Sequence, residues 1–398
     1  MGFGLERKIR YAGASIQAVL FRFSQRQRQG QGAAELSVKM KHGNWFAAVG
    51  KVRTILGGQK PTVIKQADLV MKHKFSVLGT GLQFWGNPIR WHLDVESGQD
   101  WPICYYKKLM YRALGSNGTD VKIPWEISRF QHLVLLVQGF FLTGDKRYAQ
   151  ESIRQIGRWL ESNPFCYGVN WMCAMEVALR ACNWMWAWWA FRDSDEWTNE
   201  FHAKFLRSVW EHGWYIEHNL EDHNGRRTNH YLADIVGLLF IGVMFPQYKD
   251  SDRWKTFGAQ ELVRCMSEMV HPDGVSFENS TAYHRFVLEL FTYSTVLCVR
   301  NDIELPQTFW QQLEKMFEFI MYCMRPDGRM PMIGDSDDGR FFILSNYYNW
   351  DRWDHRYLLS IGAVLFKRVD FKIAAGSFHD EIIWLFGEPG KREWERLQ

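Results

Sequence analysis

The 398-residue sequence has no paired-cysteine motif: its seven cysteines, at 104, 166, 173, 182, 265, 298 and 323, include no C-x-x-C. Their number is odd, so neither a zinc knuckle nor a disulfide framework is supported, and a reducing compartment is the default. Long apolar runs are missing too. The longest, Ile235–Phe245, falls far short of the ~18 residues a membrane span needs. G-x-x-x-x-G-K, G-x-G-x-x-G after a strand, G-x-S-x-G and H-E-x-x-H do not occur, which argues against nucleotide use, α/β-hydrolase and zincin chemistry. No cofactor is expected. A net charge of +4 is too small for a nucleic-acid binder.

That small sum hides an asymmetry. Residues 1–60 hold 11 Lys and Arg against Glu6 and Glu35, so the arm carries +9 and the remainder −5. Arg7, Lys8, Arg10, Arg22, Arg26 and Arg28 flank the apolar stretch Ile16–Phe21. Such a segment docks on a neighbouring domain, lies on an anionic surface or guides an acidic polymer. As a signal peptide it is poor, because Gly13, Ser15 and Gln17 interrupt it and Arg22 follows without a small-residue cleavage site. A cytoplasmic location is therefore expected ahead of a periplasmic one.

Tryptophan is what the sequence has in excess: 20 residues, within 16% aromatics. This excludes a disordered chain and leaves two uses, flat sugar-binding surfaces or helix packing. From Ile103 onward the pattern is helical. Helices are expected near 103–114, 126–142, 146–162, 171–191, 197–219, 228–245, 253–270, 280–301, 307–325 and 353–367. In 146–162, for example, Ala149, Ile153, Ile156 and Leu160 form one apolar stripe with charged residues between them. Segment 228–245 is apolar almost all round, as an inner helix would be.

Short turns at 143–145, 192–196, 246–252 and 302–306 alternate with polar links at 163–170, 220–227, 271–279 and 326–352. If successive helices are antiparallel, the polar links share one end. Helix starts at about 171, 228 and 280 then mark a repeat of helical hairpins, an all-α toroid or solenoid. The organisation expected is a basic extension and mixed prelude over 1–100, the toroid over 101–370 and a tail over 371–398.

The shared rim gathers the residues with chemistry. Asn170 and Trp171 precede Glu176 and Arg180, whose spacing of four predicts an ion pair on one helix face. Asn229 and His230 open a helix, where free N–H groups, an amide and an imidazole can grip a carboxylate. Tyr283, with His284 and Arg285 after it and Glu278 before, is expected to have a lowered phenol pKa. The acid-rich run from Asp335 to Arg340 lacks the spacing of a calcium loop, so no metal site is expected.

Taken in order, Asp120, Lys122, Pro124-Trp125-Glu126, Ser128-Arg129-Phe130-Gln131-His132, Asn170-Trp171, Met175-Glu176 and Arg180 resemble the heparinase II/III-like polysaccharide lyases. Asn229-His230-Tyr231-Leu232, Phe277-Glu278-Asn279-Ser280-Thr281, Tyr283-His284-Arg285, Gly334-Asp335 and Gly339-Arg340 continue the match, over roughly 85–370. The resemblance implies an incomplete (α/α) toroid followed by a C-terminal β-sandwich. It implies β-elimination of acidic, uronic-acid-containing polysaccharides or oligosaccharides such as heparan sulfate or alginate. Asn229 and His230 would neutralise the uronate carboxylate. Tyr283 would act as acid and, for one C5 epimer, also as base. Trp125, Arg129, Asn170, Trp171, Glu176, Arg180, Glu278, His284, Arg285, Asp335 and Arg340 would bind or orient the chain.

The family's second base, a His in a Gly-His-rich motif, belongs to the β-sandwich. Nothing after Gly376 supplies that motif, and His379 lies in another context. The expectation is an absent sandwich, or one on a separate chain, with weak activity of this chain alone. Two alternatives stand beside the lyase: a toroid glycoside hydrolase pairing Glu176 with Asp335 or Glu278, and a non-catalytic glycan-binding or assembly protein.

Overall fold

A computed structural model describes residues 60–113, 118–222, 225, 227–337 and 339–398. The basic arm lies outside them. The mixed prelude opens, within the described residues, with helix α1 (Lys60–Met71). Two-residue strands follow in antiparallel pairs, β1 (Lys74–Phe75) with β2 (Gln83–Phe84) and β3 (Leu93–Asp94) with β4 (Gln99–Asp100). All further elements are helical: α2 (Tyr106–Ala113), α3 (Lys122–Ser128), α4 (Leu133–Thr143), α5 (Arg147–Ser162), α6 (Ala174–Phe191) and α7 (Asn199–His218). Then come α8 (Asn229–Met244), α9 (Ser251–Met269), α10 (Thr281–Arg300), α11 (Gln307–Cys323), α12 (Arg356–Phe366), α13 (Val369–Ala375) and α14 (Glu381–Arg396).

The helix expected over 126–142 is broken. Phe130 has a φ of 60°, left-handed backbone that a bulky side chain rarely adopts, so α3 and α4 are separate. Its ring is buried against Trp91, Trp159 and Trp184, and this packing offsets the local cost. Residues 371–398, expected as a tail, are helical as well. Ile382, Ile383 and Leu385 are fully buried, and α14 packs on α12.

Hydrophobicity sorts the helices into two layers. In α6, α8 and α10 nearly every residue is buried, whereas α5, α7, α9 and α11 bury one face only. The inner helices α4, α6, α8 and α10 pack on one another in succession, each joined to its outer neighbour. That is the expected repeat of hairpins. Tryptophan goes to packing rather than to exposed platforms: twelve of the tryptophans are buried, and no described one is exposed. Among the described residues no helix is long and apolar enough to cross a membrane.

One element of the core is not a helix. Residues 340–344, inside the link expected at the rim, run through the middle of the inner layer with Phe341, Phe342, Ile343 and Leu344 buried. Their backbone carbonyls are served from the surrounding helices. Gln131 donates to Arg340, Gln138 to Leu344 and Asn183 to Phe341, at 2.5, 2.7 and 3.2 Å. Glu289 of α10 holds the entry. It accepts from Arg340 Nε, the Phe341 amide and the Tyr357 hydroxyl at 2.5, 2.8 and 2.5 Å. Buried backbone needs such partners, and these fix where the preceding loop emerges.

Candidate active site

The polar links meet at one end, as the alternation of link lengths predicts. The Met175 amide at the start of α6 donates to Glu221 at 2.9 Å. Asn229 at the start of α8 bonds to Glu278, and Thr281 and Tyr283 at the start of α10 bond to Pro331 and Asp335. Three helix N-termini therefore open on one rim, bounded by the loop that ends at Arg340.

The first turn of α8 is a carboxylate clamp. Thr228 makes no side-chain cap, and the Asn229 N–H turns instead to Glu278. The Asn229 amide nitrogen donates to Glu278 Oε1 at 2.6 Å and its side-chain Nδ2 to Oε2 at 2.7 Å. Two donors on the positive end of a helix hold one carboxylate in a bidentate grip. The sequence places an anion here; the structure shows one, the protein's own.

His230 stands beside the clamp, its side chain 38% exposed. Its Nδ1 bonds to Glu221 at 3.1 Å. Burial works against a charged ring, but the Glu221 carboxylate outweighs it, with Glu176 and Glu278 adding, and the imidazole pKa is raised. Glu221 is the partner that the sequence did not announce. It lies in a polar link nine residues before His230, and no spacing rule joins the two. Its own backbone amide is held by Asp234 at 2.8 Å.

Tyr283 is the second reactive group at the rim, half-buried. Ser280 caps α10 by accepting from the Tyr283 amide at 3.1 Å, which sets the position of the ring. The hydroxyl donates to Asp335 Oδ2 at 2.8 Å and lies 3.5 Å from Asp337. The expected lowering of its pKa is overturned. Burial, the bond to Asp335 and the charge of Asp337 all raise it, because two carboxylates face a phenol that would have to become an anion. His284 and Arg285, whose proximity in sequence suggested the lowering, are engaged elsewhere. His284 bonds to the Met316 carbonyl, and Arg285 donates to the carbonyls of Arg352 and Gly339.

The expected Glu176–Arg180 pair is not formed either. Glu176 receives both Nε and Nη2 of Arg129 at 2.7 Å, a geometry that a rigid guanidinium fork favours. Arg180 lies wholly buried over the Trp159 ring, 4.2 Å from its centroid, and donates to His212 at 2.9 Å and to the Asn170 carbonyl at 3.1 Å. Burial pushes its pKa down to about 9.

Several residues expected to touch a glycan are thus inside the protein. Asn170, Trp171, Arg180, His284, Arg285 and Arg340 each retain 2% exposure or less. They brace the rim: Asn170 donates to Trp91 and Asn163, and Trp125 ties α3 to the Val169 carbonyl. At the rim itself stand Asn229, His230, Glu278, Tyr283 and Asp335, with Lys122 3.9 Å from Asp337.

The architecture is that of an incomplete (α/α) toroid with a polar rim carrying an anion clamp, an imidazole and a phenol. Residues 54–354 match the heparinase II/III N-terminus, and the chain belongs to that family. It is 27% identical over 312 residues to the heparin-sulfate lyase of Pedobacter heparinus, covering 74% of this chain and 43% of that protein. To the heparin-sulfate lyase of Bacteroides stercoris it is 24% identical over 258 residues, covering 58% and 38%. The crystal structure of heparan sulfate lyase HepC from Pedobacter heparinus superposes with a TM-score of 0.56 at 24% identity, over 79% of this chain and 45% of that one. The chain spans less than half the length of these relatives.

Proposed function

We propose that this chain is the toroid part of a polysaccharide lyase that acts on uronate glycans of the glycosaminoglycan class by β-elimination. The observation that carries this is the bidentate grip of the α8 N-terminus on a carboxylate, with His230 and Tyr283 beside it. Glu278 holds the place of the substrate's carboxylate. An arriving uronate displaces it, and Asn229 with His230 then spreads the carboxylate's charge so that the C5 proton becomes acidic.

The raised pKa of Tyr283 speaks against proton abstraction by its phenolate and supports reading it as the acid that protonates the departing O4. A phenol that stays protonated has a proton to give. Asp335 orients it. The chain thus supplies two of the three tasks of elimination, and rapid turnover calls for the third from a further domain or a separate chain. The paired-carboxylate hydrolase is disfavoured, since both oxygens of Glu176 are taken by Arg129.

The test is incubation of the purified chain with heparan sulfate, hyaluronan, chondroitin and alginate while following near-ultraviolet absorbance. Elimination creates an unsaturated uronate that absorbs there; hydrolysis does not. Slow product from a glycosaminoglycan supports the lyase. Reducing ends released without absorbance would sink it.

A further inference from the structure

The rim carries a second constellation that shares His230 with the clamp, and its geometry does not rest on the lyase assignment. Cys173 ends the segment before α6, Glu221 lies in the link before α8 and His230 is the second residue of α8. The Cys173 Sγ is 3.7 Å from Glu221 Oε1 and 3.8 Å from His230 Nδ1, and that nitrogen is 3.1 Å from the same Glu221 oxygen. One donor atom from each residue falls within 4.8 Å of the others. Zinc bonds of about 2.0–2.3 Å in a tetrahedron place ligand atoms roughly 3.3–3.8 Å apart. The three donors already stand near the corners of one face of such a tetrahedron.

We propose that Cys173, Glu221 and His230 form a binding site for one zinc-type divalent cation, with water in the fourth position. The donor set is thiolate, imidazole and carboxylate, a combination that suits zinc and not calcium or magnesium, which take oxygen alone. A buried acceptor without a partner stands beside it as well. Asp234 sits directly behind, fully buried, with one oxygen on the Glu221 amide and the other without a partner. Among the described residues no lysine or arginine pairs with Glu221 or Asp234.

The supporting shell is in place. The Met175 amide fixes Glu221 Oε2 at 2.9 Å and Asp234 fixes the Glu221 backbone, the outer contacts that orient a metal-binding carboxylate. Access is open on one side, because His230 and Glu221 face the rim while Cys173 is buried behind them. On binding, the Cys173 S–H bond is lost and its proton passes to solvent as the sulfur–metal bond forms; His230, if protonated, also releases the proton on Nδ1. The linear sequence masks the site, since positions 173, 221 and 230 fit no spacing motif.

The test uses cobalt(II) as the probe on the full chain after chelator treatment. One equivalent should produce a thiolate-to-cobalt charge-transfer band in the near ultraviolet and the intense visible bands of a tetrahedral ion, all abolished by added zinc. Cys173→Ala should remove the charge-transfer band. His230→Ala should weaken zinc binding by about tenfold or more with the band retained at saturation, since losing even a contact that only orients a ligand costs about 10–100-fold. Because Cys173 is buried, His230→Ala decides the matter if the alanine variant does not fold. A charge-transfer band that survives Cys173→Ala, or a zinc affinity unmoved by His230→Ala, overturns the assignment.

Discussion

Removing Glu289 is the sharpest way to probe how the core holds the rim. This carboxylate has no exposure and accepts from Arg340 Nε, the Phe341 amide and the Tyr357 hydroxyl. Burial pushes the Arg340 guanidinium pKa down, but Glu289 beside it more than restores it. In Glu289→Ala, Arg340 stays buried without its counter-charge, and breaking one half of such a pair costs about 3–5 kcal/mol. The Phe341 amide and the Tyr357 hydroxyl lose their acceptor at roughly 1–3 kcal/mol apiece if no water replaces it. A domain is stable by only about 5–15 kcal/mol, so even the lower figure removes a large fraction.

Urea unfolding followed by tryptophan fluorescence should therefore show a midpoint far below that of the parent, or a chain unfolded without denaturant. The double variant Glu289→Leu with Arg340→Met discriminates further. Replacing both charges by apolar groups should recover much of the loss, since the cost lies in the orphaned charge and not in the absence of a salt bridge. A single variant destabilised by less than about 1 kcal/mol would refute the claim that this pair anchors residues 340–344.

Three further outcomes follow from the site and the core. Tyr283→Phe removes the proton donor with little change of shape, so any elimination rate should fall by about 10²–10⁴-fold with KM held; unchanged turnover in initial-rate assays would dismiss Tyr283 as the acid. Glu278→Gln should tighten binding of a uronate oligosaccharide about fivefold in calorimetry, because a neutral amide competes less well for Asn229 than a carboxylate by about 1 kcal/mol; weaker binding would show that Glu278 props the clamp open instead. Burial pushes His132 and His284 down to about 4, against the smaller raising effects of Gln155 and of the Met316 carbonyl. Each ring is neutral when folded but takes a proton near pH 6.5 when unfolded, so the stability it preserves is full above that value and is lost as pH falls towards 4. The loss is up to about 3 kcal/mol per ring. The midpoint difference between pH 7.5 and 5 should shrink in His284→Asn, and an unchanged difference would contradict the burial.

How much of this was legible beforehand follows from the range of each interaction. Helical period and link composition are local, so the hairpin repeat and the rim could be read from Ala149-Ile153-Ile156-Leu160 and from the polar links. The contact of Asn229 with a carboxylate was legible too, because a residue at a helix start acts through its own backbone N–H, whereas the His230 ring bonds to Glu221 instead. Partner choice was not. Arg180 sits one turn from Glu176, yet Arg129, 47 residues earlier, takes both carboxylate oxygens. The sign of the Tyr283 shift depended on Asp335 and Asp337, more than 50 residues away, while the adjacent His284 and Arg285 turned out to serve carbonyls. Phe130 shows the same limit in the backbone: a left-handed residue is stabilised by rings from three distant segments and cannot be seen in a helical pattern. Trp171 and Arg180 read as rim residues for a related reason. Composition reports that a side chain is large or charged, but only packing decides whether it faces a glycan or the core.

Carboxylate recognition at the α8 N-terminus is the step on which the functional assignment turns. The direct measurement compares a heparan sulfate oligosaccharide with the same oligosaccharide after its uronates are reduced to the neutral sugars, recording binding by calorimetry and product by near-ultraviolet absorbance. If Asn229 and His230 grip the uronate carboxylate, the native oligosaccharide binds and yields the unsaturated product, however slowly, while the reduced one binds at least tenfold more weakly and yields none. Equal binding of the two, undiminished in Asn229→Ala, would show that the clamp holds Glu278 for structural reasons alone and that the rim is not a uronate site.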